Sequence, residues 1–563
     1  MGRSSRTRNR VAATRGILLC LLATSLLVAC AQTASTATST PSEPTAVPSA
    51  TASATATATP QPRSWWQDAV FYEIFVRSFY DSNGDGIGDF NGVTQKLDYL
   101  QNLGVNALWL MPIYPSPSYH GYDVTDYLNV NPQYGTLDDF KNLLSQAHSR
   151  GIRIILDLVL NHTSDQNPWF VSSNDDPQSS YRDWYIWSDT NPGYLGPLGV
   201  AWFPGKFGYY YGIFGANMPD LNYRTQAVTT EIYNMAAFWL TDVGVDGFRL
   251  DAINYLVEEG QKQINTQSTH DWLKGFYTAY KADNPQAFTV GEVYGTDAAL
   301  AATYTGNQVD MVFEFELASS FINSANGQTN SAVDSALTFA QQSLPGWQFG
   351  TFLTNHDQPR TMSLLNGDLD KAKMAAFLLL TSPGTPFLYY GEEIGMRGEK
   401  PDPDIRRPMQ WTAGQDAGFT TGTPWEPLGP DYRTVNVASE TADPNSLLSF
   451  YKNMIAIRAS TPDLRSGTLS LVSTGSAAVY GALRIENRTA ILVLANLTGN
   501  PVTSYALGAG DPTLADGTYH ITPIFGTGAF SDVTVTGGKF SNYHPLTTLP
   551  SYGKFILELQ PGG

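Results

Sequence analysis

The segment Ile152-Arg153-Ile154-Ile155-Leu156-Asp157-Leu158-Val159-Leu160-Asn161-His162 is an apolar run that stops on two polar side chains. Its length and composition predict a β-strand over 152–160, with Asn161 and His162 at its end. Seven more short apolar runs flank it in the sequence: Val70 to Val76, Ala107 to Met111, Gly247 to Leu250, Phe288 to Val290, Met311 to Phe315, Gly350 to Leu353 and Pro386 to Tyr390. Stretches with helical periodicity lie between them. Leu137, Phe140, Leu144 and Ala147 recur on one helical face, Thr136 stands at the N-cap position, and Asp139 follows three residues on. Val93, Leu97 and Leu100 form a second such stripe. Eight strands alternating with helices predict an α/β fold, a parallel (β/α)8 TIM barrel over 64–162 and 223–462, whose active site lies at the C-terminal ends of the strands.

Two stretches break the alternation. Residues 163–222 are too long for an ordinary strand-to-helix loop and are rich in Trp, Tyr, Gly, Asn and Pro, so they are expected to form a small inserted domain over the barrel mouth. Residues 463–563 carry segments such as 490–495 and 554–559 separated by Gly, Asn and Asp, and are expected to form a C-terminal antiparallel β-sandwich.

The 563 residues leave room for several domains, and 50 Gly, 34 Pro and 12% aromatics describe a loop-rich globular chain. A net charge of −18 repels phosphate backbones, which excludes nucleic acid as a partner. Residues 1–29 read as an export signal: Arg3, Arg6, Arg8, Arg10 and Arg15 precede an apolar run, Ile17 to Ala29, too short to span a bilayer. Leu27-Val28-Ala29-Cys30 resembles a bacterial lipobox, which implies a lipid anchor on Cys30, after which residues 30–63 form a disordered Ser/Thr/Ala/Pro tether. The expected location is therefore the outer face of the cell envelope, lipid-anchored or secreted. Cys20 leaves with the signal, so no disulfide is expected. The chain is expected to be a monomer.

Charged and polar residues end four of the strands: Asn161 and His162, then Arg249 and Asp251, then Glu292, then His356 and Asp357. Their convergence on one cavity would cost desolvation and like-charge repulsion, which a structural role rarely requires. Arg249 stands two residues before Asp251 on an extended strand, so both point the same way. Asp157 is expected to position Arg249, with a purely structural strand-end acid as the alternative.

These segments resemble the signature regions of the alpha-amylase superfamily of glycoside hydrolases, and 218–222 and 383–392 extend the likeness over roughly 64–460. The resemblance implies that Asp251 is the nucleophile, Glu292 the general acid and base, and Asp357 the transition-state stabiliser. Arg249, His162 and His356 would line the subsite where the bond is cut, with Tyr122 as a sugar platform and His120 as a donor beside it. A retaining glycosidase needs such a pair of carboxylates about 5–5.5 Å apart, one attacking the anomeric carbon and one donating a proton. Neighbouring anions are expected to raise the Glu292 pKa.

Asp81, Asn83, Asp85 and Asp89 occupy positions 1, 3, 5 and 9 of a calcium-type loop, with the Ile87 carbonyl at 7 and the turn glycine Gly86 at 6. Gly92 stands where a bidentate Glu is usual. Ca2+ is the expected cofactor. A second calcium, implied by Asn161 and Asp220, is put in doubt by Asn254 and Tyr255, which replace a Lys-His pair of many classical amylases.

The expected reaction is hydrolysis of internal alpha-1,4 bonds in starch-like glucans. Tyr119 and His120 stand where exo-acting members carry an acidic cap, and Ala252 follows the nucleophile as in alpha-1,4 enzymes. The stretches 218–222 and 355–360 instead resemble the oligo-1,6-glucosidase side of the superfamily. An exo-acting alpha-glucosidase or oligo-1,6-glucosidase is the first alternative, a 4-alpha-glucanotransferase the next, and a non-catalytic starch-binding lipoprotein the most remote.

Overall fold

The computed structural model describes residues 63–486 and 489–562. The export signal, Cys30 and all but the last residue of the tether lie outside the described residues. Eight parallel strands close into a barrel: β1 (Phe71–Ile74), β2 (Ala107–Leu110), β3 (Arg153–Leu158), β4 (Gly247–Leu250), β5 (Phe288–Gly291), β6 (Met311–Phe313), β7 (Phe349–Thr351) and β8 (Thr385–Tyr389). Each pairs with the next in sequence, and β8 returns to β1. All eight lie where the sequence placed them, with ends shifted by at most two residues. β3 stops at Leu158 because the carbonyls of Val159 and Leu160 accept from the hydroxyls of Tyr127 and Tyr223 instead of from a neighbouring strand.

Side chains alternate along each strand, so the barrel interior is read every second residue. The lower layers hold Phe71, Ala107, Ile155, Phe288, Val290, Met311, Phe313 and Phe387, all buried in one cluster with Trp109. Phe71 stacks on Phe387 at 4.3 Å. One inward position further along β1, β3 and β4 come Glu73, Asp157 and Arg249, each at most 2% exposed. An apolar plug thus ends in a charged layer that faces the strand C-termini. Gly247 starts β4 at φ 151°, and a Cβ there would come within 1.9 Å of the Phe288 carbonyl oxygen. Glycine is what lets β4 and β5 approach at the barrel floor.

The helix Leu137–Ser149 begins with the expected cap: Asp139 N donates to Thr136 Oγ1 at 3.1 Å, and Thr136 N donates back to Asp139 Oδ2 at 2.9 Å. It buries Phe140, Leu143, Leu144 and Ala147. The Val93, Leu97 and Leu100 stripe is carried by two short helices, Phe90–Gln95 and Leu97–Leu103, rather than one.

Between β3 and the helix Gln226–Ala237 the chain forms a helix, Pro168–Asp175, and a three-stranded antiparallel sheet of Trp187–Ser188, Gly208–Tyr211 and Trp202–Gly205. Trp202, Tyr211 and Ile213 pack against Ala252 and Tyr255. These aromatics form a small core under the cavity wall.

The C-terminal part is an antiparallel six-stranded sheet faced by a two-stranded one, Leu507–Gly510 with Lys539–Tyr543. Its strand Thr489–Asn496 points Ile491, Val493 and Ala495 into the main core, and Leu492 and Leu494 into the core between the two sheets. Burial of both faces explains an apolar run there instead of a half-polar alternation. Among the described residues no helix is long and apolar enough to cross a membrane.

Candidate active site

A cavity of about 570 Å³ opens at the C-terminal ends of the strands, and His120, Tyr122, His162, Asp251, Glu292 and Asp357 all line it. The segment between β3 and the next helix adds Leu198, Phe214 and Met218, and the stretch after β8 adds Lys400, Asp402 and Arg406. Arg249 and His356 lie one layer behind and hold the groups in front.

Arg249 is 1% exposed and organises the centre. Its Nη1 donates to Asp157 Oδ1 at 2.8 Å and to Asp251 Oδ1 at 2.6 Å, and its Nη2 donates to Glu292 Oε2 at 2.7 Å. One guanidinium therefore touches both carboxylates, which sit in the same cavity no further apart than the fork allows. Local chain geometry supports this: Ala252 adopts φ 47°, a turn that L-residues with a Cβ seldom take, and its N–H donates to Glu292 Oε2 at 3.2 Å.

Glu292 is pushed up to about 7. Burial is the main cause, opposed by Arg249 and reinforced by Asp251 and Asp357. The sequence reading gave this role to the neighbouring anions. They contribute, but removal of the carboxyl from water comes first. Burial likewise lifts Asp157 to about 6, against the pull of Arg249.

On the opposite wall, the cavity's desolvation would raise the Asp357 carboxyl, yet His356, Arg406 and Arg249 outweigh it and hold it below the usual carboxylate range. Arg406 Nη2 donates to Asp357 Oδ1 at 2.8 Å, and His356 Nε2 lies 3.3 Å from Asp357 Oδ2. His356 Nδ1 is 2.5 Å from Glu73 Oε1. Burial alone would lower the His356 pKa, but Asp357 and Glu73 reverse the sign and keep it raised.

Tyr122 stacks on His356 at 5.5 Å, and its hydroxyl donates to Asp157 Oδ2 at 2.9 Å. That bond fixes the ring facing the cavity. His120 Nδ1 accepts from Tyr122 N at 3.1 Å, which leaves the ring proton on Nε2 as a donor. Burial lowers the pKa of both His120 and His162, which favours the neutral ring.

The calcium-type loop lies elsewhere, after β1. Its oxygens turn onto its own backbone: Gly86 N donates to Asp81 Oδ2 at 2.8 Å, Asp85 N to Asn83 Oδ1 at 2.9 Å and Ile87 N to Asp85 Oδ1 at 2.9 Å. Asp89 caps the helix Phe90–Gln95 through Gly92 N. Among the described residues no three His, Cys, Asp or Glu side chains are grouped closely enough to hold a metal ion. The donor set is nonetheless all hard oxygen, and Gly86 at φ 93° makes the turn such a loop needs, so its chemistry fits calcium.

The family model described as "Alpha amylase, catalytic domain" matches residues 73–467. The chain belongs to the alpha-amylase family. It is a glycoside hydrolase of that family. It is 42% identical over 442 residues to Alpha-amylase 3 of Dictyoglomus thermophilum, covering 77% of this chain and 85% of that protein. It is 35% identical over 519 residues to the oligo-1,6-glucosidase of Parageobacillus thermoglucosidasius, covering 77% and 91%. Among solved structures, an alpha-amylase from H. orenii superposes with a TM-score of 0.76 at 37% identity, covering 87% of this chain and 99% of that one.

Sequence reasoning missed three residues of this alpha-amylase-family site. Glu73, which bonds His356, was visible as a lone charge inside the apolar β1. Arg406 and Lys400 sit in a loop with no regular period, and only the fold brings them to Asp357. Of the aromatic residues in the inserted segment, Trp202, Tyr210 and Tyr211 do not line the cavity; Phe214 does.

Proposed function

We propose that the chain hydrolyses alpha-glucosidic bonds of gluco-oligosaccharides and starch-like glucans with retention of configuration. Asp251 attacks the anomeric carbon while the protonated Glu292 donates to the departing glycosidic oxygen. Water then attacks the glycosyl-Asp251 ester, and Glu292 takes the proton back. Asp357 faces the positive charge that develops on the sugar ring, and Tyr122 offers an apolar face to its C–H groups. The single observation that carries this reading is the Arg249 guanidinium donating to both Asp251 and Glu292 while Glu292 keeps a pKa of about 7. Arg249 orients the nucleophile through Asp251 Oδ1, and burial keeps the acid protonated. Asp251→Asn and Glu292→Gln are each expected to lower kcat by about 10²–10⁴-fold. A fall of less than tenfold in either would sink the assignment.

Two finer readings have support. Internal alpha-1,4 cleavage is favoured by Tyr119 and His120, which stand where an acidic cap would close the cleft, and by the 42% identity to an alpha-amylase. An exo-acting or oligo-1,6 activity is favoured by several relatives named oligo-1,6-glucosidase at 33–35% identity. Maltoheptaose blocked at its non-reducing end separates them: an endo enzyme cuts it and an exo enzyme leaves it intact.

We further propose that Asp81, Asn83, Asp85, Asp89 and the Ile87 carbonyl hold Ca2+, which would brace the loop after β1. Chelation is expected to lower Tm, and an unchanged Tm with no calcium released would contradict this. The Cys30 anchor is proposed on the lipobox-like sequence alone; radiolabelled palmitate incorporation lost in Cys30→Ser would support it.

A further inference from the structure

Arg360 stands three residues beyond Asp357, at the end of the turn that carries it, and is 2% exposed. Every hydrogen bond it donates among the described residues ends on a main-chain carbonyl. Its N–H reaches Gly398 O at 2.9 Å, its Nε reaches Ile405 O at 2.9 Å and its Nη1 reaches Tyr390 O at 2.6 Å. Its Nη2 is buried without a partner. Glu392 and Glu393 are close enough to feel its charge, yet they accept instead from the hydroxyls of Thr361, Tyr451, Tyr72 and Tyr99. A buried guanidinium bonded to no carboxylate is costly. The side chain lies over the rings of Tyr389 and Tyr390 at 4.4 and 4.6 Å, where methionine would fill similar space without that cost. Packing alone therefore does not call for arginine here.

The carbonyls it holds bound a segment with a neighbour in the active site. Gly398 and Ile405 are the ends of a stretch that brings Lys400 and Asp402 to the cavity, and Arg406 follows Ile405 directly. Arg406 Nη2 donates to Asp357 Oδ1 at 2.8 Å, and its Nε donates to the His356 carbonyl at 2.9 Å. Arg360 thus fastens both ends of segment 398–405 to the Asp357 turn, one through its backbone and one through its side chain. The Ile405 carbonyl receives a second donor, the Tyr389 hydroxyl at 3.1 Å, and Ser78 Oγ donates to the Arg406 carbonyl at 2.5 Å. With the main chain held on either side, the Arg406 guanidinium is aimed before substrate arrives. We infer that Arg360 is a positioning residue for the glycosidase reaction: it fixes segment 398–405 across the Asp357 turn and so sets Arg406 against the Asp357 carboxylate. The inference rests on the role proposed above for Asp357, which faces the charge that develops on the sugar ring.

The test is a double-mutant cycle in the full-length enzyme, read as kcat and KM on maltotriose. Arg360→Lys keeps a positive charge but loses the fork that bridges Ile405 and Tyr390, and should lower kcat about tenfold while KM moves less than about twofold. In the Arg406→Gln background the same substitution should cost less than about twofold more, because the group it positions is gone. Tyr389→Phe removes only the second donor to the Ile405 carbonyl and should lower kcat about threefold, a loss that also vanishes in the Arg406→Gln background. Losses that multiply in the double variants overturn the positioning role. So does a full kcat in Arg360→Lys, or in Tyr389→Phe should Arg360→Lys not fold. A kcat within tenfold of wild type in Asp357→Asn would instead overturn the reading of the site on which the inference rests.

Discussion

At the scale of the residue, the site is a problem of giving two carboxyl groups different surroundings within reach of one sugar. Burial lifts Glu292 to about 7, whereas Asp251 is tied to the Arg249 guanidinium at 2.6 Å. The acid works only while protonated, so kcat/KM should fall as pH rises through about 7. A pH–rate profile checks this, and an alkaline limb near pH 4.5 would contradict it. Glu73 acts through His356, which in turn contacts Asp357 and Tyr122. Glu73→Gln should cost about tenfold in kcat, the scale of one charge-assisted hydrogen bond, with little change in KM. The carboxylates at the strand ends were legible because charge is conspicuous after an apolar run. Glu73 was less so, since a strand-interior Glu also fits an exposed edge until the barrel closes around it.

At the scale of the element, strand positions were legible and their joints were not. Apolar runs give the eight strands, but only tyrosine hydroxyls arriving from distant segments decide where β3 stops. The same holds for the seam between the barrel and the C-terminal sheet. Arg458 donates to the carbonyls of Leu380, Ser382 and Gly384, and Arg484 donates to those of Thr381 and Gly467. Both are fully buried, and burial lowers their pKa to about 9 and about 10. Together they satisfy carbonyl groups at and beyond the C-terminal end of the helix Leu369–Thr381, where positive charge is favoured. Arg484→Ala should cost about 3 kcal/mol in urea unfolding, because it leaves those carbonyls buried and unpaired. Thr136→Ala removes only a helix cap and should cost about 1 kcal/mol. Equal losses from the two would contradict this ranking.

At the scale of the whole molecule, several buried acids share one sign of shift. Burial raises Asp157 to about 6, Glu292, Glu314 and Glu440 to about 7, and Glu392 to about 8. A group whose pKa is raised by folding contributes stability that is full below its ordinary value and lost as pH rises through the folded one. Tm should therefore be higher at pH 5 than at pH 8.5, and calorimetry at the two values checks it. An inverted order would mean that these acids are ionised in the fold. The barrel, its insertion and the C-terminal sheets were all visible in the alternation of sequence patterns. The hold of Arg360 on segment 398–405 was not, because it is made through main-chain carbonyls, and nothing local marks them as its neighbours.

The central claim is that Asp251 bonds to the sugar while Glu292 lends and reclaims one proton. Proton NMR of the first sugar released from maltoheptaose tests it most directly. The account predicts the alpha-anomer ahead of mutarotation, and initial appearance of the beta-anomer would contradict it.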